Sequence, residues 1–164
     1  MKKQLAISYR EICSDDNEVI AQVIRSILEE FGVNKPGTVY TDPTTDKLYE
    51  LFQREGAQYE LALVDNKVVG ACGIFPTDGL PDGCAELVKF YLLADYRGLG
   101  IGKRLMLNSI AFSKSQGYKQ LYIESLPELD VAVGMYEKFG FKHIPKRLGK
   151  SGHFACSILM LKEL

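Results

Sequence analysis

Arg97-Gly98-Leu99-Gly100-Ile101-Gly102-Lys103 follows an apolar run, Leu87-Val88-Lys89-Phe90-Tyr91-Leu92-Leu93, and opens a segment of helical periodicity. Three glycines at alternate positions expose a row of backbone N–H groups where a helix begins, and the helix dipole adds positive potential there. That combination suits a phosphate or pyrophosphate group. Spacing separates the known designs. A Walker A loop needs Gly-x-x-x-x-Gly-Lys-Ser/Thr, but Arg97 takes the place of the first glycine and Arg104 that of the hydroxyl. The dinucleotide fingerprint needs a third glycine where Lys103 stands. What remains is Arg-x-x-Gly-x-Gly between a strand and a helix, with a ligand-free glycine turn as the plain alternative.

Outward from this loop the elements are legible by period. Upstream, Leu5 to Tyr9 alternates as a first strand, and Asp15-x-x-Glu18 reads as a capping box. Ile20, Val23, Ile24, Ile27, Leu28 and Phe31 then recur at helical spacing until Gly32. Asn34 to Asp42 is a loop. Pro43 starts a second helix with Leu48, Leu51 and Phe52 on its apolar face, ended by Gly56. Tyr59–Val64 and Lys67–Phe75 form a hairpin turning at Asp65-Asn66. Pro76 to Gly83 is a loop, and Ala85 to Leu93 is the fourth strand. The helix after the glycine loop pairs Ile101 with Leu105 and Met106 with Ile110, and stops at Gly117. Lys119 to Ser125 is the fifth strand. A last helix, capped by Asp130, carries Ala132, Met135, Tyr136 and Phe139 and stops at Gly140. Phe141–Ile144 and Phe154–Leu161 are the final strands.

The order β-α-α-β-β-β-α-β-α-β-β combines an antiparallel hairpin with a parallel crossover. It predicts an α+β (mixed α/β) fold, with a strongly twisted mixed sheet of about seven strands flanked by about four helices, as a single domain over residues 1–164. The chain has 164 residues, enough for a substantial core, and its 46% hydrophobic and 25% charged residues are ordinary for a soluble domain. A net charge of −1 gives no basic footprint for nucleic acid. No run approaches a membrane span. No signal peptide is evident, and Cys13, Cys72, Cys84 and Cys156 are scattered without a Cys-x-x-Cys pair. Reduced thiols, a cytoplasmic location and no metal are therefore expected.

The element order with Arg-x-x-Gly-x-Gly after strand four resembles the GNAT family of acyl-CoA-dependent N-acetyltransferases. Met135-Tyr136-Glu137-Lys138-Phe139-Gly140-Phe141 is similar to that family's Tyr-x-x-x-Gly-Phe segment. The resemblance covers nearly the whole chain. Glu86-Leu-Val-Lys-Phe-Tyr-Leu-Leu and Gly152-His-Phe-Ala-Cys156 further resemble a bacterial subgroup sometimes fused to a MarR-type DNA-binding domain.

The resemblance implies that Arg97, Gly98, Leu99, Gly100, Ile101, Gly102 and Lys103 hold the pyrophosphate of acetyl-CoA. It also implies that Tyr91, Leu92 and Leu93 contact the pantetheine arm and the acetyl carbonyl at a strand-four bulge. Tyr136 matches the family's tyrosine acid, and a phenol of pKa about 10 can protonate a leaving thiolate. Glu86 is the first candidate base and Glu124 a second, and either can instead bind a substrate ammonium. A water chain to bulk solvent is the alternative to a side-chain base. Many relatives carry Asn seven residues before the tyrosine, where this chain has Leu129. Phe31, Tyr40 and Asp42 are candidate linings of the acceptor pocket, and Asp42 is equally suited to capping the helix at Pro43. His143 and His153 are read as structural, and Cys84 and Cys156 lack an adjacent base. The expected activity is acetyl transfer to a primary amine of a small molecule, amino acid or peptide. A non-catalytic acyl-CoA sensor is the alternative, and the final hairpin is a candidate homodimer surface.

Overall fold

A computed structural model describes residues 4–164. Seven strands form one mixed sheet in the order β1-β2-β3-β4-β5-β7-β6. They are β1 (Ile7–Glu11), β2 (Gln58–Val64), β3 (Lys67–Phe75), β4 (Cys84–Leu92), β5 (Gln120–Ser125), β6 (Lys142–His143) and β7 (Ile158–Glu163). β4 and β5 are the parallel pair, and the crossover such a pair requires is the helix α3 (Ile101–Ser115). β2 and β3 turn at Asp65 and Asn66, with φ of 48° and 65°. Two successive positive φ values define a primed turn, which matches strand twist and suits Asn and Asp.

Helix α1 (Asn17–Glu30) buries Ile20, Ala21, Val23, Ile24, Ile27 and Leu28, the stripe its periodicity predicts. With the single-turn helix α2 (Leu48–Leu51), it covers one face of the sheet. Helix α3 and helix α4 (Asp130–Lys138) cover the other, through Ile101, Leu105, Met106, Val133 and Tyr136.

Three expectations are corrected. The Pro43–Gly56 helix is a 3₁₀ turn at Pro43–Asp46 followed by one α turn, broken at Lys47. The Asp42 carboxylate accepts the Thr44 N–H at 2.9 Å, and the Thr45 hydroxyl bonds the Val39 carbonyl at 2.7 Å. Short hydroxylated side chains that bond nearby backbone favour such turns over helix, and so short a segment propagates poorly. The expected capping box at Asp15 and Glu18 gives way to a 3₁₀ turn at Ser14–Asp16 that leads into α1: the Asp16 carboxylate reaches back to the Cys13 N–H at 2.8 Å and takes both terminal nitrogens of Arg10 at 2.7 and 3.0 Å, and makes no cap bond to α1 itself. Finally, β7 begins at Ile158, because Phe154 to Cys156 turn back on themselves. The Cys156 N–H donates to the His153 carbonyl and the Ala155 N–H to Gly37. Residues 144–157 thus form a long loop against the centre of the sheet.

Candidate active site

β4 and β5 pair only from Cys84 to Glu86, against Gln120 to Tyr122. Past that point they part. The cause lies in β4: Ala71 of β3 faces Tyr91 while Gly73 faces Val88, so β4 carries one extra residue. Lys89 is that bulge, at φ 51°. A bulge bends its strand and adds local twist, which swings the end of β4 away from β5. The buried Tyr59 hydroxyl donates to the Lys89 carbonyl at 3.0 Å and holds the bulge in place. Phe52 stacks on the Tyr59 ring at 4.6 Å.

The parted strands open a groove on one side and a cavity on the other, meeting at Phe90, Tyr91 and Leu129. The groove has a volume of about 400 Å³ and is lined by Leu92, Gly98, Gly100, Gly102, Lys103, Val131 and Met135. Gly98 and Gly100 sit at φ 77° and 81° with nothing within 4 Å of where a Cβ would be. They turn the chain so that α3 begins pointing into the groove. The first backbone bond of this turn runs from the Arg104 N–H to the Gly100 carbonyl. The amides from Gly98 to Lys103 have no acceptor among the described residues. Orphan N–H groups at a helix start, in a groove, form an anion site.

Leu93 N–H is committed to the Val69 carbonyl at 2.9 Å. Alternation along the strand therefore turns the Leu92 N–H and carbonyl toward the open edge. Arg97 occupies that carbonyl, its Nε donating at 2.9 Å. The same guanidinium pairs with Glu30 at 2.9 Å and covers the Phe31 ring at 5.2 Å. Arg97 thus lies along the groove wall, and Phe31, expected at the acceptor, lines the groove. Leu129 borders both compartments, so an apolar side chain stands where many relatives carry Asn.

The cavity on the other side holds Glu86, Lys89, Glu124, Tyr136 and His153. Glu86 is 3% exposed. Its carboxylate accepts the Thr77 hydroxyl at 2.6 Å. Burial pushes its pKa up to about 7, reinforced by Glu124 and opposed by the Thr77 bond, Lys89 and Arg147. A carboxyl near 7 is poised for proton transfer at neutral pH. Tyr136 packs between Phe90 and Phe141, at ring distances of 6.1 and 6.0 Å. Burial raises its pKa well above the ordinary phenol value, keeping it a donor.

Glu124 is already engaged. Arg147 Nη1 lies 2.6 Å from it, and the Tyr122 and Ser151 hydroxyls donate to it. Arg147 also donates to the Cys156 carbonyl at 2.5 Å. Glu124 therefore anchors the loop over the cavity, and these three engagements leave it ill suited as a base. The Tyr40 hydroxyl donates to Glu29 at 2.7 Å, on the α1 surface and outside the cavity.

Asp42 does cap the turn at Pro43, and it also reaches the cavity's charged groups. His153 Nε2 donates to its Oδ2 at 2.8 Å, and Lys89 Nζ lies 3.8 Å from the same oxygen. Burial opposes ionisation of Asp42, but the bonds from His153 and Thr44 and the Lys89 charge prevail and hold its carboxyl well below the usual range. Lys89 is the cavity residue that sequence reasoning passed over, and His153, read from sequence as structural, is held at the cavity by its bond to Asp42. Burial drives the Cys84 thiol up to about 11 and the Cys156 thiol up to about 12, so both stay protonated at neutral pH. Among the described residues no cluster of His, Cys, Asp or Glu could hold a metal ion, and no helix is long and apolar enough to cross a membrane.

A seven-stranded mixed sheet, parted at a bulge beside a glycine-rich helix start, defines the acyl-CoA N-acyltransferase class of fold. Residues 20–141 match the model of the acetyltransferase (GNAT) family, and the chain belongs to that family. It is 36% identical over 156 residues to the Escherichia coli protein named uncharacterized N-acetyltransferase YjgM, covering 94% of this chain and 93% of that one. Among solved structures, a GNAT-family acetyltransferase of Staphylococcus aureus superposes with a TM-score of 0.82 at 22% identity, over 96% of this chain and 99% of that one. The PaiA N-acetyltransferase of Thermoplasma acidophilum, solved in complex with coenzyme A, gives 0.75 at 20% identity, over 97% and 99%. At these identities the two structures speak for the fold.

Proposed function

We propose that this protein transfers the acetyl group of acetyl-CoA to a primary amine of a small molecule, amino acid or peptide, by direct attack. The observation that carries the reading is the parting of β4 and β5 beyond Glu86 and Tyr122. It joins an anion-binding helix start to a cavity holding a poised carboxyl and a buried phenol. The PaiA structure contains coenzyme A, which supports the same cofactor class here.

The amides from Gly98 to Lys103 hold the pyrophosphate, with Lys103 beside them. The Leu92 edge of β4 pairs with the pantetheine arm, and Arg97 yields the Leu92 carbonyl as that arm arrives. Backbone N–H groups near the bulge face the thioester carbonyl and stabilise the oxyanion that forms as the amine adds. Glu86 takes the proton from the attacking nitrogen. Tyr136 gives its proton to the departing thiolate and recovers one from solvent after release. Protonated Cys84 and Cys156 take no acyl group. The two stretches that resemble the MarR-fused subgroup border this cavity, through Glu86 and Lys89 and through His153 and Cys156, and support a shared acceptor chemistry.

The test is thiol release from acetyl-CoA across an amine panel. Amine-dependent release supports the reading. Firm acetyl-CoA binding with no release for any amine would favour a sensor.

A further inference from the structure

Lys89 is an unusual residue to bury. Its side chain is 4% exposed, and its ion-pair partner among the described residues, Asp42, lies 3.8 Å away. That is beyond hydrogen-bond reach. Asp42 has little left to offer: Oδ2 takes the His153 N–H, and Oδ1 takes both the Thr44 N–H and its hydroxyl, at 2.9 and 2.7 Å. An ammonium has three donors and is costly to bury without acceptors. Lys89 lines the cavity, so those donors are available to whatever enters it.

Glu86 supplies the complement. Its Oε1 is taken by Thr77, and Oε2 has no hydrogen-bond partner among the described residues. Residues three apart on a regular strand project to opposite faces. The bulge cancels that alternation and brings Lys89 to the side of the sheet that carries Glu86. One wall of one cavity therefore offers an acceptor for an amine and a donor for an anion. The loop over residues 144–157, tied down through Arg147 to Glu124 and through His153 to Asp42, puts His153 and Cys156 into the cavity wall beside Lys89, which crowds a chain continuing beyond that anion.

We propose that the acceptor is a free α-amino acid, its amine at Glu86 and its carboxylate bound by Lys89. This rests on the acetyltransferase reading above and narrows it. Lys89 is then a specificity-determining residue: it selects among amines by the group beside the nitrogen.

The experiment uses the full chain and acetyl-CoA. A panel of free α-amino acids spanning the side-chain types is assayed, each against its own amide, its decarboxylated amine and a dipeptide beginning with it. kcat/KM is corrected for the free-amine fraction at the assay pH. The expected result is at least about tenfold preference for one or more free amino acids over their amides and dipeptides, the worth of one charge-assisted hydrogen bond. In Lys89→Met that ratio falls toward one, and in Lys89→Arg much of it returns, with acetyl-CoA affinity by calorimetry reporting an intact groove. Amides, amines or dipeptides used as well as amino acids in every set would overturn the proposal while leaving acetyl transfer standing. A preference that persists in Lys89→Met would remove Lys89 from the role. No turnover of any amine would sink the acetyltransferase reading itself. If Lys89→Met fails to fold, the wild-type ratio and Lys89→Arg still decide.

Discussion

Replacing Glu86 with Gln should make the protein more stable and less active at once. Burial holds the Glu86 carboxyl at about 7, against 4.5 for an unperturbed glutamate. At ~1.36 kcal/mol per pH unit, that gap is a cost of about 3 kcal/mol for ionising Glu86 in the folded state. The sign follows from linkage. Below pH 4.5 both folded and unfolded chains keep the proton, and Glu86 carries no penalty. As pH rises through 4.5 the unfolded chain ionises first, and folded stability falls until about pH 7, where the folded carboxyl ionises too. Gln keeps the shape and an oxygen for the Thr77 hydroxyl but never ionises. In urea unfolding the variant should exceed wild type by up to about 3 kcal/mol at pH 8, and by about 1 kcal/mol or less at pH 5. Turnover should fall by roughly 10²- to 10⁴-fold, the usual worth of a general base. The limb of the pH–kcat/KM profile near pH 7 should vanish, leaving the limb that belongs to the acceptor amine. An equal stability difference at both pH values would show that Glu86 is not held protonated by burial. An unchanged limb near pH 7 would remove it as the base.

Tyr136→Phe should lower kcat at least about tenfold while changing acetyl-CoA affinity little, because the lost proton matters only as the thiolate departs; unchanged turnover by thiol release would exclude the phenol as the acid. Gly100→Ala forces a β-carbon into a left-handed position at φ 81°, at a cost of about 1–2 kcal/mol. It also places a methyl beside the orphan amides, so calorimetry should show weaker acetyl-CoA binding, and wild-type affinity would move the pyrophosphate elsewhere. Tyr59→Phe removes the donor to the Lys89 carbonyl and should cost about 1 kcal/mol. Because that bond fixes the bulge, kcat should fall more than this stability loss implies. Loss of stability with full kcat would make Tyr59 mere packing.

The glycine loop was readable because its function is a backbone function: φ angles and free amides are written as glycines in order. The α1 stripe and the Asp65-Asn66 turn were readable for similar local reasons. Lys89 was not. In the run Leu87 to Leu93 it reads as one polar interruption of a strand, and the extra residue that makes it a bulge exists only in the register with β3. His153 and Asp42 are 111 residues apart, and nothing local announces their pairing. The same holds for Glu124, whose appeal as a base dissolved once Arg147, Tyr122 and Ser151 converged on it. Tyr40 and Phe31 were placed in the acceptor pocket by neighbourhood in sequence, but one faces Glu29 and the other faces the groove. The Pro43–Gly56 helix failed because Thr44 and Thr45 spend their hydroxyls on Asp42 and Val39.

In the proposed mechanism the parted strands bring an acetyl thioester and an amine together for direct transfer. A single-turnover experiment tests it most directly, with excess enzyme over acetyl-CoA, an acceptor present, and thiol and acetylated amine quantified together by mass spectrometry. Direct transfer should give one N-acetylated amine for each thiol released, with no acetyl left on the protein. Thiol release without acetylated amine, or acetyl retained on a protein side chain, would contradict it.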